Sequence, residues 1–494
     1  MAMACAALVP LLLLLLVVLS GSTSLADHSA GVDEVNYIVV LTSSWLKPNS
    51  VCSSLMSPHP NVTNWVPLSR PYGPCSSSPA KGRAAPSTVD GMLWSDQHRA
   101  DYIQWRLSGS VAGVLQPADD VPVSTNYEQQ SIEGDLNYGT YYPAPAPMSS
   151  KAMNPAATGG GGGGPGVTQT MVLDTASDVT WVQCSPCPTP PCYPQKDVLY
   201  DPTKSSSSGV FSCNSPTCTQ LGPYANGCTN NNQCQYRVRY PDGTSTAGTY
   251  ISDLLTITPA TAVRSFQFGC SHGVQGSFSF GSSAAGIMAL GGGPESLVSQ
   301  TAATYGRVFS HCFPPPTRRG FFTLGVPRVA AWRYVLTPML KNPAIPPTFY
   351  MVRLEAIAVA GQRIAVPPTV FAAGAALDSR TAITRLPPTA YQALRQAFRD
   401  RMAMYQPAPP KGPLDTCYDM AGVRSFALPR ITLVFDKNAA VELDPSGVLF
   451  QGCLAFTAGP NDQVPGIIGN IQLQTLEVLY NIPAALVGFR HAAC

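Results

Sequence analysis

Apolar and polar positions change character three times along this chain. An unbroken apolar run from Ala6 to Leu19 is followed by small residues ending Ser22-Thr23-Ser24-Leu25-Ala26. The run is shorter than the ~20 apolar residues a membrane span needs, and the small residues suit a cleavage site, so residues 1–26 are expected to be a secretory signal peptide. A polar, Pro/Ser-rich stretch comes next. From Gly91 to Leu107 it turns helical in spacing, with Trp94, His98, Tyr102 and Ile103 at roughly one-turn intervals. Beyond Val167 the pattern becomes short β-type runs separated by turn clusters: Thr170 to Leu173, Gln235 to Tyr240, Leu254 to Thr258, Phe266 to Phe268. The clearest helix in this part is Pro388 to Tyr405, with Tyr391, Leu394, Ala397, Phe398 and Met402 on one face. The fold class expected is β-dominated with few helices.

At 494 residues the chain exceeds what one core organises. Its 42 Gly and 48 Pro agree with many turns. Residues 143–166 are low in complexity, Pro-Ala-Pro-Ala-Pro followed by unbroken Gly159 to Gly164. No Lys-Ser or Lys-Thr follows the Gly run, so it is a linker rather than a phosphate loop. The organisation expected is a signal peptide (1–26), a prosegment (27–115), a linker (116–166) and two lobes (167–342 and 343–494).

Composition narrows the function. Charged residues are 12% and nearly balanced, 30 basic against 28 acidic, so no nucleic-acid partner is indicated. Cys5 lies in the signal, Cys52 and Cys75 in the next segment. Twelve remain: Cys184, Cys187, Cys192, Cys213, Cys218, Cys228, Cys234, Cys270, Cys312, Cys417, Cys453 and Cys494. An even set in an exported chain indicates a disulfide framework. Cys184-Ser185-Pro186-Cys187 lacks a second ligand pair at metal spacing, so no metal is expected. The single glycosylation triplet is Asn61-Val62-Thr63.

The candidate chemistry comes from an internal repeat. Asp174-Thr175-Ala176-Ser177 follows the apolar Met171-Val172-Leu173, with Gly286-Ile287-Met288-Ala289 further on. Asp378-Ser379-Arg380-Thr381 follows Ala375-Ala376-Leu377, with Gly466-Ile467-Ile468-Gly469 further on. An acid directly after a buried strand needs a partner or a shifted pKa. Two such acids in duplicated settings point to a shared carboxylate dyad between the lobes.

On these motifs the chain resembles the plant pepsin-like aspartic proteases of the nepenthesin-like group. The Asp174 to Cys184 segment is similar to their first active-site motif, Gln235 to Gly243 to their flap hairpin, and Gly466 to Asn470 with Leu476 to Tyr480 and Val487 to Phe489 to their C-terminal end. The resemblance implies a two-lobed fold with an interlobe cleft and a zymogen precursor. It also implies that Asp174 and Asp378 share one proton around a catalytic water and hydrolyse protein or peptide substrates at acid pH, with no cofactor. Thr175 and Ser379 would brace the two loops. Ser177 and Thr381 would bond the outer carboxylate oxygens. Tyr240 would close the flap over substrate, supported by Trp181, while His272 and His311 have structural roles. It further implies the pairings Cys184–Cys187, Cys192–Cys270, Cys213–Cys234, Cys218–Cys228, Cys312–Cys494 and Cys417–Cys453. A monomer is expected, secreted to the extracellular space or cell wall with the vacuole as alternative, and not inserted in membrane once the signal is cleaved.

Four positions depart from the family pattern. Arg380 and Ala289 replace glycines, Pro241 replaces a flap glycine and removes a backbone donor, and the strand leading into Thr168 is missing, with the Gly linker in its place. Together they raise an alternative: a weakened or inactive member kept as a binding or inhibitor module, as the related plant xylanase-inhibitor proteins are.

Overall fold

The computed structural model describes residues 36–41, 65–68, 89–108, 143–146 and 167–494, the last range with short interruptions at 188–191, 194, 196, 241–243, 259–260, 276–283 and 316–317. The signal peptide, the glycine run, the Asn61 triplet, Cys52, Cys75 and Pro241 all lie outside the described residues.

Strands dominate, and the duplication seen in the sequence is a duplication of topology. The strand Gln169–Asp174 pairs in parallel with Gly286–Ala289, which runs antiparallel to Trp181–Gln183. Two hundred residues later, Ala375–Leu377 pairs in parallel with Gly466–Ile468, which runs antiparallel to Thr384–Leu386. Each acidic residue therefore ends an apolar strand held in the middle of a sheet. The first unit belongs to a nine-stranded sheet and the second to a five-stranded one. A six-stranded sheet joins them, drawing strands from both halves, with Val308–Cys312 pairing against Glu477–Asn481. Its face adds Phe309 stacked on Tyr480 at 4.4 Å to an apolar core running through Leu173, Tyr350 and Leu377. One core spanning both halves fixes the two acidic loops relative to each other.

Three expectations about elements need correction. The short runs at Leu254–Thr258 and Phe266–Phe268 are parts of one long hairpin, Ser245–Thr258 against Thr261–Gln275. Asp253 broke the apolar pattern in the sequence. It is nevertheless buried, because the hydroxyls of Tyr200 and Ser207 donate to its carboxylate. The strand expected to be missing before Thr168 is supplied from the linker itself. Pro143–Ala146 pairs antiparallel with Gln169–Val172, at the edge of the sheet where prolines do not interrupt a ladder. The helix expected to reach Tyr405 is Pro388–Arg401, with Pro407 shortly beyond it.

The segment before the linker is built into the body at three places. Tyr37–Leu41 pairs with Ser425–Pro429, and Trp65–Leu68 pairs with Gly320–Leu324 as the edge of the six-stranded sheet. The helix α1, Val89–Leu107, packs at both ends. Met92 and Leu93 join a cluster with Ala382, Ile383 and Phe450; Ala100, Ile103 and Leu107 join another with Ala176, Phe349, Met351 and Ile467. Both clusters contain residues adjacent to the acidic loops, so α1 crosses the site where the two halves meet.

Candidate active site

The geometry starts from two tight loops locked against each other. The Thr175 N–H donates to Ser379 Oγ at 3.0 Å, and the Ser379 N–H donates to Thr175 Oγ1 at 3.0 Å. Each hydroxyl then donates across the interface, Thr175 to the Leu377 carbonyl at 3.2 Å and Ser379 to the Leu173 carbonyl at 3.0 Å. Four reciprocal bonds make the spacing of Asp174 and Asp378 a property of the whole core. Both acids are fully buried. Ser177 Oγ donates to Asp174 Oδ2 at 2.7 Å, and the Ala176 N–H to Oδ1 at 2.9 Å. Thr381 serves Asp378 Oδ2 with its hydroxyl at 2.6 Å and its N–H at 2.9 Å.

The guanidinium of Arg99, on α1, lies across both carboxylates. Its Nη2 is 2.7 Å from Asp174 Oδ1 and 2.8 Å from Asp378 Oδ1, and its Nε is 3.0 Å from Asp378 Oδ2. A second cation reaches the pair from the other side, with Arg380 Nη1 3.0 Å from Asp174 Oδ2. Burial works to raise the Asp174 carboxyl, but Arg99 and then Arg380 outweigh it and hold it well below the ordinary carboxylate range. Arg380 does not need a glycine's backbone freedom, since it is not among the residues with positive φ. What it changes is charge.

Tyr240 and Trp181 are brought together beside the pair. The Trp181 Nε1–H donates to the Tyr240 hydroxyl at 2.6 Å, and the Arg380 guanidinium lies 5.6 Å from the Tyr240 ring centre. Ala289 keeps the link that its counterpart makes: its N–H donates to Thr180 Oγ1 as the Gly469 N–H donates to Thr384 Oγ1. His311 is buried, with Nε2 3.2 Å from the Tyr480 hydroxyl, and His272 Nδ1 sits 3.1 Å from the Pro186 carbonyl oxygen. Neither touches the acidic pair.

Two residues of α1 were not found from the sequence. The helical spacing picked out the aromatic face, yet Trp94 is 53% exposed while Asp96 and Arg99 are buried. The Asp96 carboxylate accepts from the Ala382 and Ile383 N–H groups and from Arg385 Nη2 at 2.9 Å. The available signal was an oppositely charged pair three residues apart, one helical turn, in a chain poor in charge.

Four of the expected cysteine pairings are replaced. The structure joins Cys184 to Cys270, Cys187 to Cys192, Cys213 to Cys228 and Cys218 to Cys234, and retains Cys312–Cys494 and Cys417–Cys453. Strand pairing sets the partners. Trp181–Gln183 runs parallel to the strand holding Cys270, which brings the buried Cys184 onto it. Cys228 and Cys234 face each other in the ladder, so the buried Cys234 takes the buried Cys218 and the exposed Cys228 takes Cys213.

Family models described as the xylanase inhibitor N-terminal and C-terminal domains match residues 161–326 and 349–491. An aspartyl protease family protein of Arabidopsis thaliana is 33% identical over 91% of this chain and 92% of its own length. Aspartic proteinase nepenthesin-2 of Nepenthes gracilis is 31% identical over 65% of this chain and 74% of its own. Among solved structures, basic 7S globulin from soybean shares the fold with a TM-score of 0.54 at 20% identity, over 71% of this chain and 91% of that one. With the paired carboxylates on duplicated loops and these relatives, the chain belongs to the plant pepsin-like aspartic protease family.

Proposed function

We propose that this chain is the secreted zymogen of an acid endopeptidase whose dyad is Asp174 and Asp378. The observation that carries this reading is Arg99, which bridges both carboxylates and fills the place between them from a helix outside the two lobes. With α1 gone, the pair would share one proton, since like charges this close do not both ionise readily. The ionised member would take a proton from water as it attacks the peptide carbonyl. The protonated member would polarise that carbonyl and then help protonate the leaving nitrogen. The pair titrates as a unit, so base and acid are not divided between the two residues. Ser177, Thr381 and the crossed Thr175 and Ser379 bonds would keep the carboxylates in place, and Tyr240 would cover the substrate from the flap.

The pH dependence of α1 docking follows from its sign. Docking depresses the Asp174 carboxyl, so it is favoured above the undocked pair's titration range. Docking weakens as pH falls through that range towards the docked value. At the Asp174 contact acid works towards opening the cleft, while burial raises the Asp96 carboxyl on the same helix, so that contact is favoured by acid and opposes it. The test is the full chain held at pH 3 to 4 and assayed on denatured haemoglobin, with and without a statine-type inhibitor. Inhibitor-sensitive cleavage appearing after acid treatment is expected; an acid-treated, folded chain that cleaves nothing would refute the reading.

A second reading, a binding module without turnover, is favoured by Arg380. A permanent cation on Asp174 keeps the pair ionised and works against the shared proton. The same assay separates the two.

A further inference from the structure

The fold's internal symmetry gives Arg385 a position that corresponds to Trp181. Each follows its acidic residue by seven, and each pairs antiparallel with the second residue of the neighbouring glycine-led strand, Trp181 with Ile287 and Arg385 with Ile467. Trp181 faces the cleft and holds Tyr240. Arg385 faces α1, and its guanidinium is 1% exposed. Its Nη1 donates to the Ile383 carbonyl, and its Nη2 donates to the Asp96 carboxylate and, at 3.2 Å, to Gln97 Oε1. Its Nε has no partner among the described residues. Both of these side-chain acceptors, Asp96 and Gln97, belong to α1.

Losing α1 would leave a cation and two backbone donors, the Ala382 and Ile383 N–H groups, converging on the space the Asp96 carboxylate had filled. A planar guanidinium beside two N–H donors suits a carboxylate. We propose that Arg385, with the Ala382 and Ile383 amides, forms a substrate subsite for an acidic side chain, and that Asp96 occupies it in the precursor as a stand-in for substrate. Asp96 and Arg99 are one helical turn apart on α1, so the subsite is the dyad's neighbour along the helix. An extended substrate advances about 3.3 Å per residue with side chains alternating in direction, so the residue that would reach a neighbouring subsite is one two or three positions from the scissile bond.

This rests on the endopeptidase reading, and two assays separate the claims. In the first, the full chain is activated by acid and given peptide pairs carrying Asp or Asn, and Glu or Gln, at each position around one cleavable bond. The expected result is at least a tenfold preference in kcat/KM for the acidic member, at one position two or three residues from the bond, at pH 5. The preference should shrink towards unity at pH 3, as a carboxyl with an ordinary pKa near 3.9 takes up its proton. It should vanish in Arg385→Gln and persist in part in Arg385→Lys, a variant that keeps the charge if the first fails to fold. In the second, anisotropy measures binding of fluorescent, uncleavable versions of the same pairs to full chain carrying Asp96→Ala and Arg99→Ala, which removes the two charged contacts α1 makes in the cleft and empties the subsite. Tighter binding of the acidic member with no cleavage in the first assay would refute the endopeptidase and support the subsite. Equal kcat/KM and equal binding across every pair, or a preference untouched by Arg385→Gln, would overturn the subsite.

Discussion

Removing the charge of Arg380 should shift the alkaline limb of the pH profile upward and raise turnover. The side chain is 7% exposed and its Nη1 lies 3.0 Å from the fully buried Asp174 Oδ2. Two unit charges about 4 Å apart interact by roughly 4 kcal/mol at an effective dielectric of 20, before desolvation is subtracted. A hydrogen bond to a charged group is worth about 1.5–3 kcal/mol net. At about 1.4 kcal/mol per pH unit, its loss corresponds to a shift of about one to two units. The sign follows from what the cation favours. Arg380 stabilises the ionised pair, so the wild type gives up the shared proton at lower pH; without the cation the proton is kept to higher pH. The assay is initial rate against pH from 2.5 to 6.5 on several quenched peptides, using acid-activated wild type, Arg380→Gly and Arg380→Met. Methionine keeps the bulk and removes the charge, so an electrostatic cause requires that both variants move together. Identical kcat and identical limbs in all three proteins would refute the reasoning. A shift in the glycine variant alone would show that backbone, and not charge, is responsible.

Three other outcomes are expected. Arg99→Met removes the cation between the carboxylates and should weaken α1 docking about 10–100-fold, on the scale of 1.4 kcal/mol per tenfold; activity of the full chain should then appear without the lag expected of wild type, and a lag equal to that of wild type would count against latency through Arg99. Asp174→Asn and Asp378→Asn should each abolish cleavage and the double variant should cost little more, because the two act as one unit; substantial turnover in either single variant would remove the dyad. N-terminal sequencing of acid-matured protein should find a start between Ser108 and Tyr142, a window set by the end of α1 and by the strand at Pro143–Ala146 that the body needs. A stable, fully active form starting before Val89 would contradict removal of the helix.

Much of the site was legible because its logic is local. Asp174 and Asp378 each stand after three apolar residues, and the hydroxyl residues beside them reach the carboxylates within one loop. The crossed Thr175 and Ser379 bonds needed only the assumption that the two copies meet. Features depending on contacts far apart in sequence were harder to read. Arg99 and Asp96 sit on a helix whose aromatic residues attracted the periodicity argument, yet the buried face carries the charges, held by partners nearly three hundred residues away. Asp253 hid the length of its strand for the same reason. Pro143–Ala146 was masked by its composition, since Pro-Ala repeats carry no strand signal and only pairing with Gln169–Val172 makes them one. The cysteine partners depended on strand register, which a list of spacings does not contain.

The strand Trp65–Leu68 closes the six-stranded sheet by covering Gly320–Leu324, and Tyr37–Leu41 covers Ser425–Pro429 in a separate two-stranded sheet. Clipping the chain after α1 cuts one covalent link but leaves these two ladders intact, so the severed piece would stay bound until both ladders also part. Its departure would bare two rows of unpaired backbone groups, the surfaces through which sheets add foreign strands and aggregate. If the segment before the linker is removed as proposed, it would have doubled as a cover for these edges, and a protein produced without it would face the bulk solvent with both edges open while still folding.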